Sequence, residues 1–226
     1  MKKFTKYILF ISLGLLCSCS DYLDIVPDNV TTLDIVFNNK NTAQRYLANC
    51  YHFVPDHGSV KRIPGMGAGH ECWFYTDKDS YFDNEVSFYI ARGLQNTNAP
   101  YANYWDGEGG SKLPMFRAIR ECNIFLSYVR DQHKVNDLTD SERKRWIAEV
   151  NVLKAYYHFF LFEHYGPIPI VDEALPVSTS SEGVKVTRMP VDQVVDFMVK
   201  LIDDSYKDLP PVITMEAVSY THLRAH

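Results

Sequence analysis

Four carboxylates within nine residues are the first group in this sequence whose types and spacing could do chemistry. The run DKDSYFDNE supplies them at Asp77, Asp79, Asp83 and Glu85. Ca²⁺ takes oxygen ligands at such spacing, but an EF-hand loop would need a ligand in place of Tyr81 and a glycine in place of Phe82. We interpret the run as a solvated acidic loop, with a calcium site of another geometry as the alternative, and we predict no metal and no cofactor.

Two sequences that begin like known site motifs each lack a required residue. HECWF begins like a zinc-binding helix, but Phe74 stands where the second histidine must lie. GMGAGH places His70 at the third glycine of a dinucleotide-binding loop, so the phosphate interpretation fails. No G-x-S-x-G and no C-x-x-C occurs. Because nothing assembles a nucleophile, a base and oxyanion donors, we predict that the protein is not an enzyme.

Cysteine chemistry is more specific near the N-terminus. Leu16, Cys17, Ser18 and Cys19 follow the order at which bacterial lipoproteins are processed: leucine, any residue, a small residue, then cysteine. Cys19 has this context, whereas Cys17 directly follows the bulky Leu16. We therefore predict that Cys19 is the first residue of the mature chain, lipidated on its sulfur and on its new amine. Each buried CH₂ of such a lipid contributes about 0.8 kcal/mol to membrane binding.

The segment before the lipidated cysteine is typical of an export signal. Lys2, Lys3 and Lys6 precede an apolar stretch, residues 7–16. This stretch is shorter than the about 20 residues that a membrane-spanning helix needs. Residues 1–18 are therefore predicted to be a lipoprotein signal peptide.

Composition narrows the classes of partner. The chain of 226 residues has a net charge of −5 and no basic tract, which argues against nucleic acid. Aromatic residues are frequent, with 15 Tyr, 13 Phe and 3 Trp. Beyond the leader, Cys50, Cys72 and Cys122 are too few for a disulfide framework. Three buried thiols are favoured, and a single disulfide in an oxidising compartment is the alternative.

Helical patterns surround a long insertion. Apolar residues at helical spacing predict a helix within 41–54, with Asn41 or Thr42 as its cap. Residues 55–110 are rich in glycine, proline and aromatic residues, which predicts a loop-rich insertion. Helical spacing returns within 111–133.

The third helical pattern is the strongest. It begins at a cap among Thr139, Asp140 and Ser141 and ends at Gly166. Its predicted buried face is Trp146, Val150, Leu153, Tyr157, Phe160 and Leu161. Because residues 155–162 are apolar almost all round, burial on several sides is expected. The aromatic residues predicted to be core rather than site are Tyr156, Tyr157, Phe159 and Phe160, together with Trp105.

A fourth amphipathic helix ends the helical part of the chain. Its predicted apolar stripe is Val191, Val194, Val195, Met198, Leu201 and Ile202, and Pro210 and Pro211 end it. Residues 218–226, VSYTHLRAH, show neither helical nor strand periodicity and resemble a translated sequencing adapter. We expect them to be read-through, with the natural protein continuing beyond about Ala217.

Four stretches of the chain carry motifs that occur together in one family of proteins. CSDYLDIVPD at 19–28 resembles the mature start of RagB/SusD-like outer-membrane lipoproteins. AEVNVLKAYYHFFLFEHYGPIPIV at 148–171 resembles their most recognisable helix, E-x-x-x-L-R-A-Y-Y-x-F followed by Y-G-x-x-P, with Lys154 in place of the usual arginine. TRMPVDQVVDFMVKLIDDSYKDLP resembles the next segment, and YWDGEGGSKLPMFRAIRECN resembles a W-x-x-x-Y-x-x-I-x-x-x-N element with expanded spacing.

The resemblance implies a mostly α fold of tetratricopeptide-like helix pairs that carries the long aromatic-rich insertion. Residues 19–217 would form only the N-terminal part of that fold. It also implies a lipid-anchored protein of the outer membrane, facing the cell exterior, that captures glycans or other nutrients for a TonB-dependent transporter. The helix-pair surface would hold the transporter, and the loops would hold the ligand.

The predicted ligand segment is CWFYTDKDSYFDNE, with Trp73, Tyr75 and Tyr81 as stacking residues. Aromatic rings on exposed loops meet the C–H face of a sugar, and amide or carboxyl groups meet its hydroxyls. The alternative is that these rings only pin the loop to the helices. Two alternative functions also stay open: a peptide-binding member of the same family, and a surface-anchored glycoside hydrolase that uses paired carboxylates of the insertion.

Overall fold

The fold is mostly helical, as predicted. The computed structural model describes residues 32–59, 63–65, 67–69, 86–108, 112–175 and 186–211. It comprises two units, of which the first ends at Ile35 and the second begins at Val36. The helices are α1 (Leu33–Val36), α2 (Lys40–Tyr51), α3 (Val86–Ala91), α4 (Met115–Val129), α5 (Asp140–Tyr165) and α6 (Val191–Asp203), followed by a 3₁₀ turn at Tyr206–Asp208. The predicted signal peptide, Cys19 and residues 218–226 lie outside these ranges.

Helix α5 is the centre of the second unit, and α2, α4 and α6 all pack against it. It begins with a capping box: the Thr139 hydroxyl accepts from the backbone N–H of Glu142, whose carboxylate accepts from the backbone N–H of Thr139. It ends where Gly166 adopts a φ of 68°. Both ends were predicted. All six members of the predicted buried face are buried, namely Trp146, Val150, Leu153, Tyr157, Phe160 and Leu161.

One aromatic residue of α5 is not core. Phe159 is 48% exposed, whereas Tyr157 and Phe160 are buried and Tyr156 is half-buried. The prediction for Phe159 was wrong because a helix that is apolar all round does not reveal which side its neighbours leave uncovered.

The apolar stripe predicted for α6 splits into two faces. Val194 and Met198 are buried, and Leu201 packs at the edge of the core. The prediction that Val191, Val195 and Ile202 pack with them was wrong, since these three residues are exposed. With Val199 and Tyr206 they form an exposed apolar row, because α5 covers only one side of a broad apolar surface.

Helix α2 starts earlier than the sequence suggested. Its cap is Asn39, whose side-chain oxygen accepts from the backbone N–H of Thr42 at 3.1 Å, so Asn41 and Thr42 lie inside the helix rather than at its cap. Ala43, Leu47 and Cys50 face the core. Lys40 forms an ion pair with the capping carboxylate of Glu142, and this partner, with Thr139, lowers the pKa of Glu142 to about 2.

A buried guanidinium organises the connection between α4 and α5. Arg143 donates from one nitrogen to the carbonyl oxygens of Val129 and Asp131, at 2.6 and 3.2 Å. Its other terminal nitrogen donates to the carbonyl oxygens of Lys134 and Val135, both at 3.0 Å. Arg143 therefore satisfies carbonyl groups at the end of α4 and along the loop, and it fixes how α4 turns into α5.

None of the helices in the described ranges has the length and apolar character needed to cross a membrane.

Candidate functional site

The predicted ligand residues cannot be placed against the fold. Trp73, Tyr75 and Tyr81 lie outside the described residues, as do the carboxylates at 77–85. Part of the same insertion is described, at residues 63–65, 67–69 and 86–108. The candidate site is built from the last of these segments.

A stacked pair of tyrosines stands on the described part of the insertion. The rings of Tyr89 and Tyr101 lie 4.4 Å apart between centroids at an interplanar angle of 15°. Tyr89 belongs to α3, in which Val86, Ser87 and Phe88 are buried. Tyr101 lies on the loop that returns towards α3. Both tyrosines are half-buried, so the pair forms part of the surface.

Amide side chains shape the loop beside this pair. The Gln95 side-chain oxygen accepts from the backbone N–H of Tyr101 at 2.8 Å. The Asn96 side-chain oxygen accepts from the backbone N–H groups of Asn98 and Ala99, at 3.1 and 2.8 Å. Residues 92–99 are all exposed. An aromatic surface bordered by amide side chains suits a ligand with both C–H faces and hydroxyl groups.

The loop after Tyr101 is anchored to the end of α5. The backbone N–H of Tyr104 donates to the Tyr165 hydroxyl at 2.8 Å, and the Tyr104 carbonyl accepts from the N–H of Met115 at 3.0 Å. Trp105 packs against Phe116 and Tyr165, with ring centroids 4.6 and 5.5 Å away. The prediction that Trp105 packs is therefore confirmed, and the loop is tied to two helices immediately after the tyrosine pair.

Gly107 allows this loop to pass over the start of α4. It has a φ of 80°, and a Cβ there would lie 2.7 Å from the backbone nitrogen of Pro114 and 2.8 Å from its Cδ. Both the backbone conformation and the close approach require glycine.

Gly107→Ala should therefore lower the free energy of unfolding by about 2 kcal/mol, because alanine is strained at this φ and meets rigid backbone. Urea unfolding of the chain from residue 20 measures the change. Gly65→Ala is the matched control, since a Cβ at Gly65 meets nothing within 4 Å and its φ lies outside the positive range. Equal midpoints for the two variants would contradict the close approach.

A buried polar cluster holds the segment that follows α5. The Lys154 ammonium is fully buried and donates to both the carbonyl and the carboxylate of Asp172, at 2.7 and 2.5 Å. The imidazole of His158 is hydrogen-bonded through Nδ1 to the Lys154 carbonyl at 2.7 Å, and its Nε2 accepts from the N–H of Val171 at 3.5 Å. The Asn123 amide donates to the Val171 carbonyl at 3.0 Å.

Burial perturbs the pKa of both basic side chains in this cluster. It lowers the pKa of Lys154, with Asp172 opposing the shift, and it lowers the pKa of His158 to about 4. The side chains are engaged with backbone and with each other, and the ring of Phe197 covers them from α6. The cluster therefore fastens residues 171 and 172 onto α4 and α5, a role that the apolar pattern of α5 did not indicate.

Within the described ranges, no three side chains of histidine, cysteine, aspartate or glutamate come together in a way that could hold a metal ion. Sequence reasoning placed its candidate site in the same insertion, but it named Trp73, Tyr75 and Tyr81 and did not identify Tyr89 and Tyr101. Their separation in sequence gives no signal of stacking, and only the return of the loop onto α3 brings them together.

Comparisons with known proteins all point to one family. The SusD-like family, described as starch-binding and associating with the outer membrane, matches residues 21–223. A SusD-like protein from Formosa agariphila is 22% identical over 221 residues, which is 94% of this chain and 39% of that protein. The chain thus spans about two fifths of the length of this relative.

Solved structures show the same fold. A laminarin-binding SusD-like protein superposes with a TM-score of 0.60 at 18% identity, covering 83% of this chain and 39% of the other. A SusD-like protein from Bacteroides fragilis superposes with a TM-score of 0.58 at 16% identity, covering 86% of this chain and 35% of the other.

Proposed function

The chain belongs to the SusD-like family of starch-binding proteins associated with the outer membrane, and on that premise we propose that it captures a glycan at the cell surface for a TonB-dependent transporter. The observation that carries the ligand part of the proposal is the Tyr89–Tyr101 pair on the anchored insertion. The transporter, the lipid anchor and the outward orientation rest on the family resemblance and on the sequence around Cys19.

The tyrosine pair suits a sugar for physical reasons. A pyranose ring presents a patch of C–H groups that packs on an aromatic face, and its hydroxyls need hydrogen-bonding groups at the edge. The exposed loop 92–99 supplies amide side chains beside Tyr101. Trp73, Tyr75 and Tyr81 remain part of the proposed site, because they belong to the same insertion. A solved relative is named as laminarin-binding, which makes glucans the first ligands to test.

Tyr101→Ala should weaken binding of a recognised glucan at least about tenfold, which corresponds to about 1.4 kcal/mol. Tyr89→Ala should have a similar effect, because each ring supports the other. Calorimetry with starch, laminarin and unrelated polysaccharides measures the affinity of the chain from residue 20. Tyr206→Ala is the control, since Tyr206 is 55% exposed in the 3₁₀ turn after α6 and lies outside the insertion.

The predicted residues enter the same experiment as Trp73→Ala, Tyr75→Ala and Tyr81→Ala. Glycan binding that survives all five insertion variants with unchanged circular dichroism would remove the insertion from the site. Release of reducing sugar during incubation with the bound glycan would replace binding by hydrolysis as the function.

The anchor has its own test. Cys19→Ala should abolish lipidation and move the protein out of the membrane fraction, whereas Cys17→Ala should leave attachment intact. Fractionation and metabolic labelling with a fatty acid measure both outcomes, and protease shaving of intact cells tests outward orientation. If Cys17→Ala alone released the protein from the membrane, Cys17 and not Cys19 would carry the lipid.

A further inference from the structure

Helix α6 presents an aligned row of apolar side chains that the described part of the chain leaves uncovered. Its members follow each other at intervals of three or four residues, so they lie along one side of the helix. They are from 36% to 55% exposed. The row consists of Val191, Val195, Val199 and Ile202, and it continues with Tyr206 in the 3₁₀ turn. Single apolar residues are normal on a protein surface, but an aligned row of this length marks an interaction surface.

The exposed row is distinct from the face of α6 that α5 covers. The residues of the covered face are buried or pack at the edge of the core, and each comes one position before a member of the row: Val194, Met198, Leu201 and Ser205. One position along an α-helix is a rotation of about 100° around its axis. The row therefore faces about a quarter-turn away from α5, and a second neighbouring element is needed to bury it.

Aspartates border the row on its other edge. Three exposed residues each come one position after a member of the row, namely Asp192, Asp196 and Asp203. No side chain in the described ranges pairs with them, whereas Asp204 forms an ion pair with Lys200 at 2.5 Å. Lys207 lies over the ring of Tyr206 at the end of the row. The row and its edge together therefore fit a partner that has an apolar face with positive charge beside it.

We propose that this row is the docking site of a further amphipathic helix of the same polypeptide, which follows α6 in the full-length protein and carries lysine or arginine along one edge of its apolar face. The described helices favour a contact within one chain, because α4 packs on α5 and α5 packs on α6 in chain order. This chain spans 39% of the SusD-like protein from Formosa agariphila. More than half of the length of that family member is therefore left to supply the helix.

A second copy of the chain fits the surface less well. In an antiparallel pair of helices related by a two-fold axis, each edge of one helix meets the same edge of the other. Asp192, Asp196 and Asp203 would then face their own copies, and like charges across an interface oppose association. A helix with a basic edge meets no such repulsion, so charge favours a partner whose sequence differs from that of α6.

The first test is accessibility in the full-length protein, expressed from residue 20 to its natural C-terminus. Val199→Cys introduces a thiol on the row, and Gln193→Cys introduces the matched thiol at an exposed position of α6 outside the row. Labelling of each thiol by N-ethylmaleimide is followed by mass spectrometry of peptides. Val199→Cys should react at least about 100-fold more slowly than Gln193→Cys, because a covered thiol reacts only when its surroundings open.

The same two variants in residues 20–217 provide the reference, in which the rates should agree within about threefold because both positions are open. Equal rates in the full-length protein would overturn the proposal. If Val199→Cys yields no folded protein, Val195→Cys replaces it on the same row.

Charge is tested separately in the full-length protein. Asp196→Lys should lower the midpoint of urea unfolding, because it places a cation opposite the basic edge of the docked helix. Asp208→Lys makes the same change of charge at an exposed position of the 3₁₀ turn, outside the acidic edge, and should leave the midpoint unchanged. Equal midpoints for the two variants would contradict the basic edge and overturn the proposal.

Two further outcomes count against a helix of the same chain. Protection of Val199→Cys that is lost on dilution, with a dimer by light scattering at higher concentration, would assign the row to a second copy. A natural reading frame without an amphipathic helix after residue 217, or with only acidic residues beside the apolar face of that helix, would also overturn the proposal.

Discussion

Arg143→Leu should lower the free energy of unfolding by about 3–4 kcal/mol, because it removes a buried cation that satisfies carbonyl groups at the end of α4 and in the following loop. Those contacts run from 2.6 to 3.2 Å and reach residues 129, 131, 134 and 135. Leucine fills part of the volume but donates no hydrogen bond, so carbonyl groups that the core shields from water lose their partner.

Urea unfolding of the chain from residue 20 measures the loss, and the neighbouring Lys144 supplies a matched control. Lys144 is exposed, so Lys144→Leu should change the free energy of unfolding by less than about 0.5 kcal/mol. Arg143→Lys should fall between the two, because a single ammonium cannot reproduce the planar fork of a guanidinium. A leucine variant as stable as the Lys144 control would show that water satisfies these carbonyls.

The sequence predicted the parts of the fold that depend on local pattern. The six apolar residues on the inner face of α5 were identified from spacing alone, and all are buried. The capping residue Thr139 and the terminating Gly166 were identified from side-chain chemistry and conformational freedom. Such features are determined by residues that lie within one or two helical turns of each other.

Features that depend on distant partners were missed. Arg143, Lys154 and His158 are buried polar residues. The apolar periodicity of α5 does not indicate that they are buried. Arg143 and Lys154 donate to carbonyl or carboxylate groups of other segments, and His158 accepts from the N–H of Val171. Sequence spacing carries no information about these partners. The prediction for Phe159 was wrong in the opposite direction, since this residue is apolar but no neighbouring element covers it.

The candidate site divides in the same way. Glycine, proline and aromatic composition identified residues 55–110 as the region to examine, because a long loop rich in aromatic rings is unusual. The stacking of Tyr89 on Tyr101 depends on the path of the loop between them, which Gly107 and the anchored Tyr104 constrain. Composition could therefore indicate the region but not the pair.

The buried imidazole of His158 should make the fold sensitive to mild acid. Burial lowers its pKa to about 4, against about 6.5 for an unfolded chain. Between these two values the unfolded chain binds a proton that the folded chain does not bind. The free energy of unfolding is therefore highest above about pH 6.5 and falls as the pH decreases, by about 3 kcal/mol in total near pH 4.

His158→Gln should remove most of this slope. Between pH 7 and pH 5 the wild-type chain should lose about 2 kcal/mol more free energy of unfolding than the variant, as measured by urea unfolding at each pH. Glu142, whose pKa is lowered to about 2, also favours the folded state less in acid, but its contribution is lost mainly below pH 4.5 and is common to both chains. His133→Gln, at an exposed position, controls for the removal of a histidine as such. Parallel pH profiles for the wild type and His158→Gln would mean that the imidazole is charged or solvated in the folded state. Residues 171 and 172 would then be held on α4 and α5 by Lys154 and Asn123 alone.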